Sequence, residues 1–387
     1  MLKVKLMNKI AKVGTDVLSS KGYEIGEGVE NEDAIMVRSA ALHDKEFSKN
    51  LRAIARCGAG VNNIPVERCT KEGIVVFNTP GANANAVKEL AIAALILASR
   101  DVLGGVKWVE TLSGQTDVAK KVEAGKSAFV GHELAGKTLG VIGLGAIGGM
   151  VANAAVSLGM SVMGYDPYIT AKAAWSLAPS VRQAADYADI FSHCDYISLH
   201  VPATPQTKNM ICKKTIAQMK DGVRLLNLSR ADLVNAEDVK AALKEKKMAA
   251  YVTDFPTDET AGAEGVIAIP HLGASTVESE DHCAIMAAQQ LDEFLRCGNI
   301  RNSVNFPTVG LPQSEKTRVC IMNRNVPNML SQITSAFSSQ NVNIENLANG
   351  SKGEIAYTIV ETNEVAGEEI LEKLSAIEGV FGIRIFA

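Results

Sequence analysis

The stretch Val141-Ile142-Gly143-Leu144-Gly145-Ala146-Ile147-Gly148 decides how the chain folds. It follows Thr138–Ile142, a run that reads as a strand, and leads into an Ala- and Val-rich segment that reads as a helix. At such a turn the three glycines of G-x-G-x-x-G have separate tasks. The first makes the tight turn, the second lets the backbone approach a pyrophosphate, and the third lets helix pack on strand. The free N–H groups of the helix then face the phosphates. The glycine pattern alone is weak evidence. Here Asp166 closes the next expected strand, Ser161–Tyr165, about twenty residues on, where an acid binds the ribose 2′-hydroxyl of a dinucleotide. A carboxylate there repels the extra phosphate of NADP, and Pro167-Tyr168-Ile169 brings no cation to offset it, so NAD is the expected cofactor.

On both sides of this turn strands and helices alternate. Before it, Val4–Met7, Ala34–Val37, Leu51–Ala55 and Ile74–Phe77 are short β-rich runs separated by helix-permissive segments, and Ala86–Ser99 is a helix so apolar that it is expected to be buried on all faces. After it, Tyr196–His200, Arg224–Leu228, Ala250–Asp254 and Val266–Ile269 continue the series, with a helix near Ser279–Cys297. This rhythm gives an α/β chain with two doubly wound parallel sheets. Asn305–Ser314, with two prolines and a glycine, reads as a linker. Beyond it the order becomes β-α-β-β-α-β: strand Arg318–Met322, helix Asn328–Ser338, strands Ile344–Leu347 and Ile355–Glu361, helix Gly367–Ile377 and strand Val380–Phe386, a ferredoxin-like α+β unit.

A length of 387 residues allows two or three domains. A net charge of −4 argues against a nucleic-acid or anionic-membrane partner, which needs a basic face. The longest apolar run, Leu90–Ala98, is far short of the ~20 residues of a membrane helix. The N-terminus interleaves charge with apolar residues and lacks a secretory core, so a cytoplasmic location is expected. Seven widely spaced cysteines without C-x-x-C suggest packing residues, with neither a disulfide framework nor a metal site.

Two further strand ends carry chemistry. Arg230 closes Leu226-Asn-Leu-Ser-Arg, and His271 lies in Ile269-Pro-His-Leu-Gly-Ala-Ser. In open α/β sheets ligands bind beyond the carboxyl ends of the strands, so both emerge where a nicotinamide is expected. Oxidising an alcohol needs a base for the hydroxyl proton, and histidine titrates in the right range. A substrate carboxylate is met by a planar bidentate arginine. A third group should hold the imidazole tautomer, and the loop after Ala250–Asp254 offers Asp258 and Glu259. His200, in Leu199-His-Val201-Pro202, is expected to line the cofactor pocket.

With these residues in place the chain resembles the D-2-hydroxyacid dehydrogenases over essentially its whole length. The resemblance is carried by Cys57-Gly-Ala-Gly-Val-Asn-Asn, Asn78-Thr-Pro-Gly-Ala-Asn83 with Val87-Lys-Glu89, the Gly143 loop, His200-Val-Pro, Asn227-Leu-Ser-Arg230 and Pro270-His-Leu-Gly-Ala-Ser-Thr. Ser303-Val-Asn-Phe-Pro307 and the C-terminal unit are similar to the linker and ACT domain of the branch acting on 3-phosphoglycerate. The resemblance implies a substrate-binding domain from residues 1–88 and 277–308, an NAD-binding Rossmann domain at 89–276, and an ACT regulatory domain at 315–387.

It further implies cofactor contacts from Gly143, Gly145, Ala146, Ile147, Gly148, Asp166, His200, Val201, Pro202, Ser229, Asp254, Gly273 and Ala274. Substrate contacts are implied for Arg38, Ser39, Arg56, Gly58, Ala59, Gly60 and Asn83, the two arginines facing carboxylate and phosphate. Arg230 and His271 match the catalytic pair. Asp258 aligns with the usual Glu, with Glu259 beside it; Thr253 stands where relatives often have Asp, with Asp254 adjacent; Ala146 replaces a frequent arginine. The implied reaction is NAD-dependent oxidation of 3-phospho-D-glycerate to 3-phosphooxypyruvate, the first step of phosphorylated L-serine synthesis. The alternatives are a glyoxylate, hydroxypyruvate or other 2-hydroxyacid reductase, and an NAD(H)-sensing, corepressor-like interaction protein. The ACT resemblance implies L-serine as effector near Asn323, Asn325 and Asn343, and assembly as a homodimer or homotetramer.

Overall fold

The computed structural model describes residues 1–363 and 367–386. Met1–Asn83 with Val277–Ala387 forms one unit, and Ala84–Thr276 the other.

The second unit is built on the seven-stranded sheet that the glycine loop requires. Its strands are β6 (Thr138–Ile142), β7 (Ser161–Tyr165), β8 (Arg182–Gln183), β9 (Tyr196–Leu199), β10 (Val223–Asn227), β11 (Met248–Thr253) and β12 (Val266–Ala268). They are all parallel, in the order β12-β11-β10-β9-β6-β7-β8. The chain leaves β6 toward β7 on one side and returns to β9 on the other, so the topological switch point lies between β6 and β9. Register lines up the carboxyl ends: Tyr165 pairs with Ile142, Ile142 with Leu199, Leu199 with Asn227, Asn227 with Thr253, and Thr253 with Ala268. Helix Ala84–Ser99 covers this sheet with Val87, Ala91, Ala94, Leu95 and Ala98 buried. It is buried on one face only, since Asn85, Glu89, Ala93 and Ile96 are exposed. Its even apolarity hides this one-sidedness, because alanine fits either environment.

The first unit holds a five-stranded parallel sheet of β1 (Lys3–Leu6), β2 (Glu24–Gly26), β3 (Ala34–Val37), β4 (Ala53–Arg56) and β5 (Val75–Phe77), ordered β2-β1-β3-β4-β5. This is the flavodoxin-like order. The 21-residue helix Val277–Cys297 lies on one face, burying Cys283, Ala284, Ala287, Ala288, Leu291 and Phe294 at the spacing of one helix stripe.

The C-terminal part forms an antiparallel sheet of β13 (Thr317–Arg324), β14 (Ile344–Lys352), β15 (Ile355–Thr362) and β16 (Val380–Phe386), ordered β14-β15-β13-β16, with helices Met329–Ser338 and Glu368–Ser375. Along β13, Val319 and Ile321 turn to the two helices, where Ile333, Phe337, Ile370 and Leu374 are buried. Cys320 and Met322 turn the opposite way, into the core shared with Phe77, Phe294 and Phe306. Both faces of β13 are therefore covered, whereas the edge strand β14 is mostly exposed. Tyr357 donates its hydroxyl to the Gly298 carbonyl at 2.7 Å, and Arg384 donates to the carbonyls of Arg52 and Gly73.

The segment read as a linker is consequently no tether. Phe306 and Val309 are buried, and Ile300 and Val309 form a β-bridge. Arg318, 2% exposed, donates to the carbonyls of Leu311 and Pro312 and pairs with Glu361 at 2.7 Å. The prolines limit regular structure in the segment without freeing it from the core.

Candidate active site

The carboxyl edge of the seven-stranded sheet brings the cofactor residues into one row. Gly143 follows β6 with φ +91°, and a Cβ there would collide with the His200 carbonyl. A Cβ at Gly148 would overlap the Gly143 carbonyl oxygen, so the helix Ala146–Ser157 can start this close to the turn only from glycine. A Cβ at Gly145, the N-cap residue, meets only open space. That free approach in front of unpaired helix N–H groups fits a pyrophosphate. Asp166, next after β7, accepts from the backbone N–H groups of Leu144 and Tyr168 at 2.9 Å, which ties the acid expected at the ribose to the glycine loop itself.

Across the switch point His200 N donates to Ile142 O, and its ring Nε2 meets Ser198 Oγ at 2.8 Å. Its Nδ1 is buried with no partner among the described residues. Burial pushes the imidazole down to about 4, which favours its neutral form. Val201 and Pro202 continue this wall, Pro202 exposed.

The catalytic candidates leave the same edge. Ser229 follows β10 and donates its hydroxyl to Leu199 O at 2.6 Å, while buried Asn227 donates to Arg230 O at 2.8 Å. These bonds fix the turn from which Arg230 projects. The exposed guanidinium donates to Ser229 O and lies 5.4 Å from the centre of the Phe255 ring. The other side of that cluster is His271, whose ring centre is 4.4 Å from that of Phe255. Phe255 thus packs against both groups expected to act on substrate.

Asp254 is the acid within this cluster. It is 1% exposed, accepts from Gly273 N–H at 3.2 Å through one oxygen, and leaves Oδ1 buried with no described partner. Burial raises its carboxyl above the ordinary value, opposed by the Gly273 N–H and by the charges of His271 and Arg230. Asp258 and Glu259 sit exposed in the following turn, where a bond with the Thr257 side chain lowers the Glu259 carboxyl. Gly273 is buried beside Asp254 and Ala274 is half-buried.

In the first unit the substrate candidates also leave the carboxyl edge of a sheet. Arg38 and Ser39 follow β3, Arg56 ends β4, and Asn78 follows β5. Arg56 Nε donates to Arg38 O at 3.1 Å. Gly58 has φ +147°, and a Cβ on it would coincide with the Arg56 guanidinium, so glycine lets that side chain fold back over the loop. Ala59 O accepts from Asn78 Nδ2 at 2.7 Å; Gly60 and Asn83 are half-buried. Arg38 Nη2 meets Glu280 Oε1 at 2.7 Å, a partner that the motifs do not reveal. Its one trace in the sequence is an acid in the first turn of a helix, a position acids favour anyway.

Residues 94–273 match the family model described as D-isomer specific 2-hydroxyacid dehydrogenase, NAD binding domain. The D-3-phosphoglycerate dehydrogenase of Haemophilus influenzae is 31% identical over 94% of this chain and 89% of its own length. The chain belongs to the D-2-hydroxyacid dehydrogenase family. The enzyme of the same name from Methanocaldococcus jannaschii is 34% identical over 79% of this chain; the chain spans 58% of that relative's length. Among solved structures, a D-2-hydroxyacid dehydrogenase relative, NAD+-bound 3-phosphoglycerate dehydrogenase from Entamoeba histolytica, superposes with a TM-score of 0.62 at 26% identity, covering 79% of this chain and 98% of that one. NAD is thus the cofactor of the matched domain, and the glycine loop and Asp166 fit it.

Outside the matched region, the chain has a cavity of about 200 Å³ where β13 turns into its helix, lined by Asn323, Asn325, Asn328, Asn349 and neighbours. Asn323 is 2% exposed; its Nδ2 donates to Arg324 O and its Oδ1 has no described partner. Asn325 donates to Gly353 O. Asn343 does not line this cavity and pairs instead with Glu345. Among the described residues no helix is long and apolar enough to cross a membrane.

Proposed function

We propose that the chain oxidises 3-phospho-D-glycerate to 3-phosphooxypyruvate with NAD, opening the phosphorylated route to L-serine. The observation that carries the chemistry is the cluster of Arg230, Phe255, His271 and Asp254 on the strand edge that also holds the glycine loop. Bound NAD supplies the hydride acceptor for C2. His271 takes the C2 hydroxyl proton. Arg230 clamps the C1 carboxylate through paired N–H donors, its plane steadied by Phe255. We assign support of the protonated imidazole to Asp254 rather than to exposed Asp258 or Glu259, because it is the buried acid whose ionisation His271 favours. Gly143, Gly145, Ala146, Ile147 and Gly148 hold the pyrophosphate, Asp166 the ribose, and His200, Val201, Pro202, Ser229, Gly273 and Ala274 wall the site. Arg38, Ser39 and Arg56, with the Gly58–Gly60 backbone and Asn83, take the phosphorylated end. Names of relatives from several lineages support this substrate.

We read residues 1–88 with 277–308 as the substrate domain, 89–276 as the cofactor domain and 315–387 as an ACT regulatory domain, of which 364–366 and 387 lie outside the described residues. The unpartnered Asn323 Oδ1 at the β13 cavity supports an amino-acid effector, L-serine first, whose ammonium group would supply the missing donor. Val102, Leu103, Val106 and Val109 share an exposed stripe of helix Val102–Glu110, which supports a homo-oligomer, and we place the protein in the cytoplasm. NADH formation from 3-phospho-D-glycerate and NAD, with a trap for the keto product and with L-serine added in parallel, tests the reading. Turnover of another 2-hydroxy acid in its place would make the chain a different reductase. NADH binding without turnover on any acid would favour an interaction protein.

A further inference from the structure

We propose that Glu280 sets the affinity for the phosphorylated substrate, as a built-in counter-ion that competes with the phosphate for Arg38. The inference rests on the reading of Arg38 as a phosphate ligand. The carboxylate lies 2.7 Å from Arg38 Nη2, with both side chains about 40% exposed (38% and 41%), so the pair can open. Each partner is anchored separately. The Arg38 backbone N–H donates to Asn8 Oδ1, its carbonyl accepts from Arg56 Nε, and Glu280 sits in the first turn of helix Val277–Cys297, where the dipole favours negative charge.

The consequence is electrostatic. Arg38 offers a positive charge to the phosphate, and Glu280 offsets it. A phosphomonoester carries about −1.5 to −2 charge near pH 7, enough to displace a single carboxylate. An unphosphorylated 2-hydroxy acid gains little from doing so. Glu280 therefore holds Arg38 until a dianion displaces it, and lowers the affinity for that dianion more than for an unphosphorylated acid.

The test is calorimetric titration of the NADH-bound protein with 3-phospho-D-glycerate and with D-glycerate, in wild type and Glu280→Gln. An exposed ion pair contributes ~0.2–1 kcal/mol, so the phosphorylated acid should bind up to about fivefold more tightly to the variant, and D-glycerate should shift less. In an Arg38→Ala background the effect of Glu280→Gln should vanish. Equal shifts for both ligands, or an effect that survives without Arg38, would overturn the proposal. If 3-phospho-D-glycerate binds neither form, the substrate reading falls by itself. The comparison then uses inorganic phosphate, and unchanged phosphate affinity in Glu280→Gln refutes the counter-ion role.

Discussion

Replacing Asp254 with asparagine should make the protein more stable and a poorer enzyme. The side chain is 1% exposed, one oxygen has a single N–H partner at 3.2 Å, and the other has none described. An inadequately partnered buried polar group costs ~1–3 kcal/mol, and an ionised one more. The neutral amide keeps the shape and removes the charge, so a gain of roughly 1–2 kcal/mol is expected, or about 2–8 °C in Tm for a unit of this size. The pH dependence follows from the raised carboxyl. A native state that holds its proton to higher pH than the unfolded chain is favoured below the ordinary value of 3.8 and loses that advantage as pH rises through the native value. The Tm difference should therefore be small near pH 3.5 and full at pH 7. Activity moves the other way. If Asp254 supports protonated His271, loss of a charge-assisted interaction of ~1.5–3 kcal/mol lowers kcat about ten- to a hundredfold. Thermal unfolding followed at both pH values and steady-state kinetics on the same samples read the two effects. A variant less stable at pH 7, or one with unchanged kcat, would refute the assignment of Asp254.

Three other substitutions probe separate parts of the argument. His271→Ala should lower kcat by ~10²–10⁴ while NADH affinity, read by fluorescence titration, stays within about twofold; parallel loss of both would remove His271 from the proton-transfer role. Gly148→Ala forces a methyl group into the Gly143 carbonyl and should weaken NADH binding together with a stability loss of ~1–3 kcal/mol, whereas wild-type affinity would show that the turn tolerates a wider helix start. At Glu361 burial pushes the carboxyl up, but bonds from Ser314, Asn346 and Arg318 outweigh it and hold it below the ordinary range. Glu361→Ala should cost ~3–5 kcal/mol in denaturant unfolding because Arg318 is left buried and unpaired, and a loss under 1 kcal/mol would show that water reaches it.

What the sequence made legible follows from how each signal is encoded. β6 and β7 were readable residue for residue because their apolar runs stop at glycine and aspartate with defined tasks. β2 (Glu24–Gly26) and β8 (Arg182–Gln183) were not, since short edge strands with polar or exposed residues lack periodicity. The burial of 305–307 and Val309 is not legible because proline and glycine mark irregular backbone, and irregular backbone need not be exposed. At the site, Arg230 and His271 were legible from strand ends. The resemblance places Asp254 only as a cofactor neighbour, and its burial against Gly273 depends on a loop path that spacing does not encode. Glu280 lies far in sequence from Arg38, and only folding brings them together.

The shared core of the first sheet and the C-terminal sheet also sets an order of assembly. During synthesis residues 1–83 emerge before 84–276, yet the stripe of Val277–Cys297 and the Cys320–Met322 face that complete their core come after the whole of Ala84–Thr276. The middle unit has no such wait, since its strands and covering helices are contiguous in the chain. Loop-closure entropy over so long an insertion makes the outer unit the slow one. Pulsed hydrogen exchange during refolding should protect β6–β12 before β3 and β4; the Cys320–Met322 face would then act as the latch that brings Phe77 and Phe294 out of water.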